Sequence, residues 1–392
     1  MKTCLSPCTS LCPLKHAHLG CTIYFVTNPE SLATYSSPLL NLPGAAEPQG
    51  GNEIPEYTGV AWHYGQPLVE QRYFERSGGF VDRSHRGVLC ISGEDAAVFL
   101  NNLVSQKLID LPHPWAGEAL DLDIQGHVVH HMEIIATDEV FYVHVPAAQL
   151  ESLHIFFTRM IFWSKVTIEV IDAAVISVIS AQHLDALVDV PLPEELAVSP
   201  VIDFSLPRRD ILVPRASLMA VAASLQEHGF QPAGMMAYTA ARVRSVQPVM
   251  SLDMDATTIP HEAASLIGRG DHIGAVHLNK GCYRGQETVG RVENLGRSPR
   301  VLVMVLIDGS APEQPHPAAP LTAGGRTVGF LGTVVDDFEL GPIGLAVVKR
   351  SALKSVTLQA GDDVALSIDP DSLPHDDGEK AGRVAINKLR GL

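Results

Sequence analysis

Asn279-Lys280-Gly281-Cys282-Tyr283-Arg284-Gly285-Gln286-Glu287 is the stretch on which the reading of this chain turns. A single thiol stands between two cations, Lys280 and Arg284, and two glycines, Gly281 and Gly285. Cationic neighbours favour thiolate over thiol, so Cys282 is expected to titrate below a free cysteine. The glycines permit left-handed backbone and a close approach of a ligand. If Gly285 opens a helix, its first amides add to the field on the sulfur. A turn that merely buries Cys282 accounts for the same residues, since lone cysteines are usually structural.

Downstream of the loop, residues 301–308, 327–335, 343–348 and 356–368 are short apolar runs split by Gly and Pro, which predicts a small β-barrel unit over 299–368. Upstream, the pattern predicts helices over 216–228, stopped by Gly229, and over 234–243. Ala119 to Ile124 alternates, Gln125-Gly126 turns, and Val128 to Ala136 returns, which is a hairpin. Strands are expected at 80–82, 87–91, 140–145, 166–171 and 175–179, with helices over 147–161 and after a Ser92 cap with Asp95 at its third position. Hairpins and helices without strict strand–helix alternation favour α+β over a doubly wound sheet, placed in residues 57–298. Residues 1–56 carry seven prolines and no clear periodicity, and read as a poorly ordered extension; 369–392 read as a tail, acidic and then basic. No solenoid repeat is present.

Composition excludes several classes. There are 28 basic and 44 acidic residues among 392, a net charge of −16, which disfavours direct nucleic-acid binding. A hydrophobic fraction of 46% against 18% charged fits a folded chain rather than a disordered one. No run approaches the ~18 apolar residues of a membrane-spanning helix, and Leu19 to Val26 is followed by Thr27-Asn28-Pro29-Glu30 rather than a cleavage motif, so a cytoplasmic protein is expected. Six cysteines make no disulfide framework at this length. Cys4, Cys8 and Cys12, with Cys21 beyond, could hold an iron–sulfur cluster. Pro7 and Pro13 interrupt that segment, and a weakly constrained tail explains it more simply.

Lys280-Gly281-Cys282-Tyr283-x-Gly285-Gln286-Glu287 resembles the signature of the YgfZ-type folate-binding proteins, relatives of the glycine-cleavage T protein, an aminomethyltransferase. The resemblance extends to Trp62-His63-Tyr64-Gly65 with Glu70-Gln71-Arg72, to Val81-Asp82-x-Ser84-His85, and to Gly93-x-Asp95-Ala96 with Phe99-Leu100-Asn101. Ile259-Pro260-His261-Glu262 and the segment from Gly329 to Ala346 also fit, so roughly residues 60 to 368 are covered. It implies a three-domain cloverleaf around a folate cavity: two interleaved, ferredoxin-like α+β domains and a C-terminal β-barrel. Such proteins assist iron–sulfur enzymes, among them tRNA methylthiolation enzymes, in a tetrahydrofolate-dependent way.

On this resemblance Cys282 is the candidate reactive thiol, set in its loop by Lys280, Tyr283, Gln286 and Glu287. Arg242 would pair with the glutamate tail of folate and Glu262 with the pterin amide edge. His130, His131, Gly281 and Gly285 would line the ligand. Each has a plainer reading: Arg242 on a solvated helix face, Glu262 at a helix start. Departures from true aminomethyltransferases matter. Gly126-His127-Val128-Val129-His130-His131 places histidines where that enzyme carries paired aspartates, and imidazole cannot stabilise a developing iminium cation. The Tyr-Thr-Gly-Glu pterin segment is absent, the nearby residues being Leu206-Pro207-Arg208-Arg209-Asp210. Three imidazoles in five residues could bind metal, but His127 and His131 share one strand face and His130 the other, so no metal site is assigned.

Three functions follow as expectations. The first is a tetrahydrofolate-binding accessory protein, a monomer whose Cys282 loop meets iron–sulfur enzymes. The second is a folate-dependent one-carbon transferase using a histidine or Asp123. The third keeps the cloverleaf for protein interaction and binds no folate.

Overall fold

The computed structural model describes residues 35–48, 55–311, 314–354, 357–361 and 364–374. Cys4, Cys8, Cys12, Cys21 and the basic end of the tail lie outside these residues.

In chain order the first elements are α1 (Pro67–Arg76), β1 (Gly79–Asp82), β2 (Gly87–Ser92), α2 (Ala96–Leu103), β3 (Trp115–Leu122), β4 (Val128–Ala136), β5 (Val140–Val145) and α3 (Ala147–Arg159). There follow β6 (Thr167–Ile171), β7 (Ala173–Ile179), β8 (Ala197–Val198), β9 (Arg208–Pro214), α4 (Leu218–Glu227), β10 (Gln231–Ala233), α5 (Met235–Arg244) and α6 (Met250–Asp253). The chain closes with α7 (Gln286–Leu295), β11 (Arg300–Ile307), β12 (Pro320–Ala323), β13 (Arg326–Asp337), β14 (Gly341–Lys349), β15 (Leu358–Ala360) and β16 (Val364–Ile368).

These strands build two five-stranded sheets, β3-β4-β5-β2-β6 and β10-β1-β7-β9-β8, and a closed barrel, β11-β14-β13-β12-β15-β16. The chain passes between the sheets through Arg83–Arg86, which join β1 to β2, and again through Asp172, which joins β6 to β7. Those two crossings interleave the α+β units. Every residue of β7 is buried because both of its faces are covered. Ala174, Ile176 and Val178 pack under α4, while Ala173 and Val175 meet the first sheet.

Some local expectations change. Ser92 ends β2 rather than capping α2, and the Asp95 carboxylate accepts from the Lys165 amide at 2.7 Å instead of from the helix. β9 escapes the pattern because Pro207 and Pro214 bracket it, yet all seven of its residues pair with β7. Residues 35–48, inside the segment read as an extension, are seated on the body. The Ser37 hydroxyl accepts from the Leu39 amide, and Leu39 is fully buried in the core that contains Phe80 and Leu225. One fully buried leucine in a proline-rich segment gives no period for a sequence reading to find.

α5 is buried from Met235 to Val243. It packs on α1, β1 and β10 on one side and on β13 and β14 of the barrel on the other, so it ties the second sheet to the barrel.

Candidate functional site: a charged cavity and a cysteine loop

A cavity of about 650 Å³, counting its open mouth, lies between the two sheet units. The β1–β2 crossing supplies Arg83, His85 and Arg86; β3 and β4 supply Glu118, His131 and Glu133; α5 supplies Tyr238 and Arg242. Glu133 organises the wall. Its carboxylate pairs with Arg83, with Arg86 at 3.1 Å and with Arg208 at 2.7 Å. Burial alone would raise its carboxyl, but Arg83, then Arg86 and Arg208, hold it well below the usual range. Asp210 sits 3.1 Å from Arg208 and accepts from Ser177 at 2.6 Å. Three guanidinium groups against two carboxylates leave an excess of one positive charge behind the cavity. His85 and His144, buried beside these arginines, are kept well below the ordinary imidazole value by desolvation and then by the cations or, for His144, against the pull of Glu133. Glu133, His144 and Asp210 also offer three ligand atoms within 4.8 Å of one another, but the arginines already supply the positive charge there.

Three lining groups are buried without hydrogen-bond partners: Tyr57 Oη, His85 Nδ1 and Arg242 Nε. Orphaned buried polar atoms are costly, and three around one cavity suit a polar ligand. Glu56, whose carboxyl burial pushes up, completes the rim.

Of the expected ligand-facing residues, the cavity receives Arg242 and His131 only. Arg242 is 3% exposed and its terminal nitrogens are engaged: Nη1 donates to Asp253 at 2.8 Å and to the Gln247 carbonyl at 2.7 Å, Nη2 to Thr333 of the barrel. It is neither a solvated surface arginine nor a free anion receptor, but a brace to Asp253 and the barrel whose Nε is buried without a partner. Glu262 is elsewhere. It pairs with Arg300 at 2.8 Å, and Asp255 shares that guanidinium. A carboxylate so occupied is not offered to a pterin.

The histidines each find a carboxylate on the facing strand or turn: His127 with Asp123 at 2.9 Å, His130 with Asp121 at 2.9 Å, His131 with Glu118 at 2.8 Å. The hairpin register sets Asp121 opposite His130, a relationship readable from the sequence once the hairpin is drawn. His130 turns away from the cavity towards α3, where Nε2 lies 2.8 Å from Ser152 Oγ. Neither Asp121 nor Asp123 lines the cavity.

Gly285 does open a helix, α7, in the left-handed region at φ +81°. Around it the loop is pinned. Lys280 Nζ donates to the carbonyls of Asn101, Val104 and Gln106, closing the C-terminal end of α2, and desolvation lowers its pKa to about 8. The same ammonium lies 4.9 Å from the centroid of the buried Tyr283 ring, whose hydroxyl burial pushes up to about 12. Arg284 donates to the Leu122 carbonyl and pairs with Asp121 at 2.6 Å, its guanidinium 4.6 Å over Phe156. The two cations that flank Cys282 in sequence are therefore spent on anchoring the loop. Gln286 reaches the Lys280 carbonyl at 3.5 Å, and Glu287 is exposed in the first turn of α7. Cys282 itself is exposed, and none of residues 280–287 lines the cavity. The loop and the cavity are separate features of the surface, which the sequence alone did not reveal.

No curated protein matches this sequence. Residues 300–375 match the C-terminal β-barrel domain of CAF17. Among solved structures the chain superposes on the glycine cleavage system aminomethyltransferase T from Bartonella henselae with a TM-score of 0.70 and 15% identity, over 84% of this chain and 94% of that one. A putative C-terminal regulatory domain of aspartate kinase from Porphyromonas gingivalis W83 reaches a TM-score of only 0.21, at 12% identity over 39% of this chain and 96% of that one, too low to carry any likeness. The chain thus has the fold of the glycine-cleavage T protein and ends in a barrel of the CAF17 type.

Proposed function

We propose that the chain binds a reduced folate in the cavity between its two sheet units and acts as an accessory protein of iron–sulfur enzymes rather than as an aminomethyltransferase. The observation that carries the folate reading is the cavity itself, in a T-protein fold, with Arg83, Arg86 and Arg242 among its lining and three unpartnered buried polar atoms at Tyr57, His85 and Arg242. Tetrahydrofolate has a polar pterin edge and an anionic glutamate, which suit those groups. Against transfer stand the engagement of Glu133 by three arginines and the position of Asp121 and Asp123 outside the cavity. The accessory role rests on the exposed Cys282, held on an anchored loop where another protein can reach it.

Anaerobic calorimetric titration of the full chain with tetrahydrofolate tests the first part. One-to-one binding, weakened by Tyr57→Phe or Gln149→Ala at the cavity wall, is expected; a folded chain that gives no binding heat overturns it. For the second part, cells lacking the chain should lose methylthiolating iron–sulfur enzyme activity and regain it with wild type but not with Cys282→Ala. Full rescue by the Cys282→Ala chain would remove the loop from the function.

A further inference from the structure

We propose that Ser152, His130 and Asp121 form a base-assisted nucleophile on the outer face of the first sheet, able to take an acyl group from an ester. The order of the three groups carries the inference. Asp121 and His130 are buried, with side chains 1% and 6% exposed, whereas Ser152 is exposed on α3. Asp121 Oδ2 lies 2.9 Å from His130 Nδ1, and His130 Nε2 lies 2.8 Å from Ser152 Oγ.

The tautomer follows from the partners. A carboxylate only accepts, so Nδ1 carries the proton of a neutral His130 and Nε2 is left with its lone pair facing the serine. The Ser152 hydroxyl has two acceptors, Nε2 at 2.8 Å and the Gln149 carbonyl at 3.1 Å, and the imidazole is the nearer. Acid, imidazole and hydroxyl in that sequence are the arrangement by which a serine is deprotonated as it attacks.

Arg284 completes the site. Its Nη2 holds Asp121 Oδ1 at 2.6 Å, which keeps the carboxylate aimed at His130. The guanidinium covers Phe156, one helical turn beyond Ser152 on the same face of α3, and its Nη1 has no hydrogen bond among the described residues. A guanidinium N–H without a protein acceptor can take up negative charge from a carbonyl oxygen bound within its reach. Ser152 Oγ attacks the ester carbonyl carbon as its proton passes to His130 Nε2. The alkoxide leaves with that proton, and an acyl-Ser152 remains. Water, deprotonated by His130, then releases the acid and restores the serine. The site is open to solvent, so small activated acyl esters are its class of substrate. The proposal does not depend on folate binding, because no member of the triad lines the cavity.

The test uses the purified full chain with a fluorophosphonate probe, the adduct being mapped by peptide mass, and with p-nitrophenyl acetate. Labelling at Ser152 is expected, slowed about a hundredfold in His130→Gln, together with ester hydrolysis that Ser152→Ala abolishes. Ser152→Ala changes an exposed hydroxyl and should melt with wild type, so its loss of hydrolysis cannot be put down to unfolding. Absence of an adduct at Ser152, or equal labelling of wild type and a folded His130→Gln chain, would overturn the proposal.

Discussion

Gly285 is packed against the β3–β4 turn so closely that a Cβ there would stand 2.8 Å from the Asp123 carbonyl oxygen. The contact joins the entry of α7 to the hairpin, and the Thr288 hydroxyl, donating to the Gln125 carbonyl at 2.7 Å, fastens the same join. Gly285→Ala meets both the left-handed φ and the backbone clash. It should cost about 1–3 kcal/mol from strain alone, with the loop displaced. Thermal melting, together with a rise in proteolytic cutting at residues 280–287, would show it; a variant that melts with wild type and resists cutting would not fit this packing.

Glu133→Gln removes one charge and leaves Asp210 as the one carboxylate facing three arginines. With Arg83, Arg86 and Arg208 buried beside a neutral amide, the chain should lose about 3–5 kcal/mol at neutral pH. The folded pKa of Glu133 is depressed, so its contribution is complete above the unfolded carboxyl value of about 4.3 and disappears as pH falls through the folded value. Urea denaturation of both chains from pH 7 to pH 3 should show a wide gap that narrows on the acid side.

His85 and His144 impose acid sensitivity of the same sign, setting in at a higher pH. Both folded values are lowered, so below about pH 6.5 the unfolded state binds protons that the native state refuses, and stability falls on acidification. Each histidine contributes a slope of up to about 1.4 kcal/mol per pH unit in that window. His85→Gln should flatten the profile between pH 6.5 and 5 by about one proton, measured by urea midpoints at fixed m.

Arg242→Ala should destabilise the chain by about 3–5 kcal/mol, because Asp253 is left buried without its cation. The barrel also loses its hydrogen bond at Thr333. A drop in folate binding in that variant would therefore have to be separated from unfolding, and a shifted melt in the absence of ligand is the measurement that does so.

Much of the fold was legible because it follows a period. The β3–β4 hairpin, β5, α3, α5 and four barrel segments stand close to where alternation and 3.6-residue spacing put them. The site was less so. Glu262 is claimed by Arg300, 38 residues on, and Arg242 by Thr333, 91 residues on; nothing local announces either pairing. Arg83 and Arg86, which line the cavity, meet Glu133 only where the chain changes sheets, and no local pattern marks them. One partner of the histidines could have been found from the hairpin, because Asp121 stands in register with His130, whereas Glu118 is opposite Glu133 and Asp123 lies in the turn. Glu118 is thirteen residues from His131 and Asp121 nine from His130, distances that only the folded hairpin closes.

α5 gives the molecule a mechanical centre. Its buried length leans on the second sheet and on the barrel, while Tyr238 and Arg242 reach the cavity that borders the first sheet. A guest molecule in that cavity would press on a beam shared by the whole assembly rather than on one wall. Its binding energy would then be felt as a single, sharper melting of the three units together, with the transition rising as the logarithm of guest concentration.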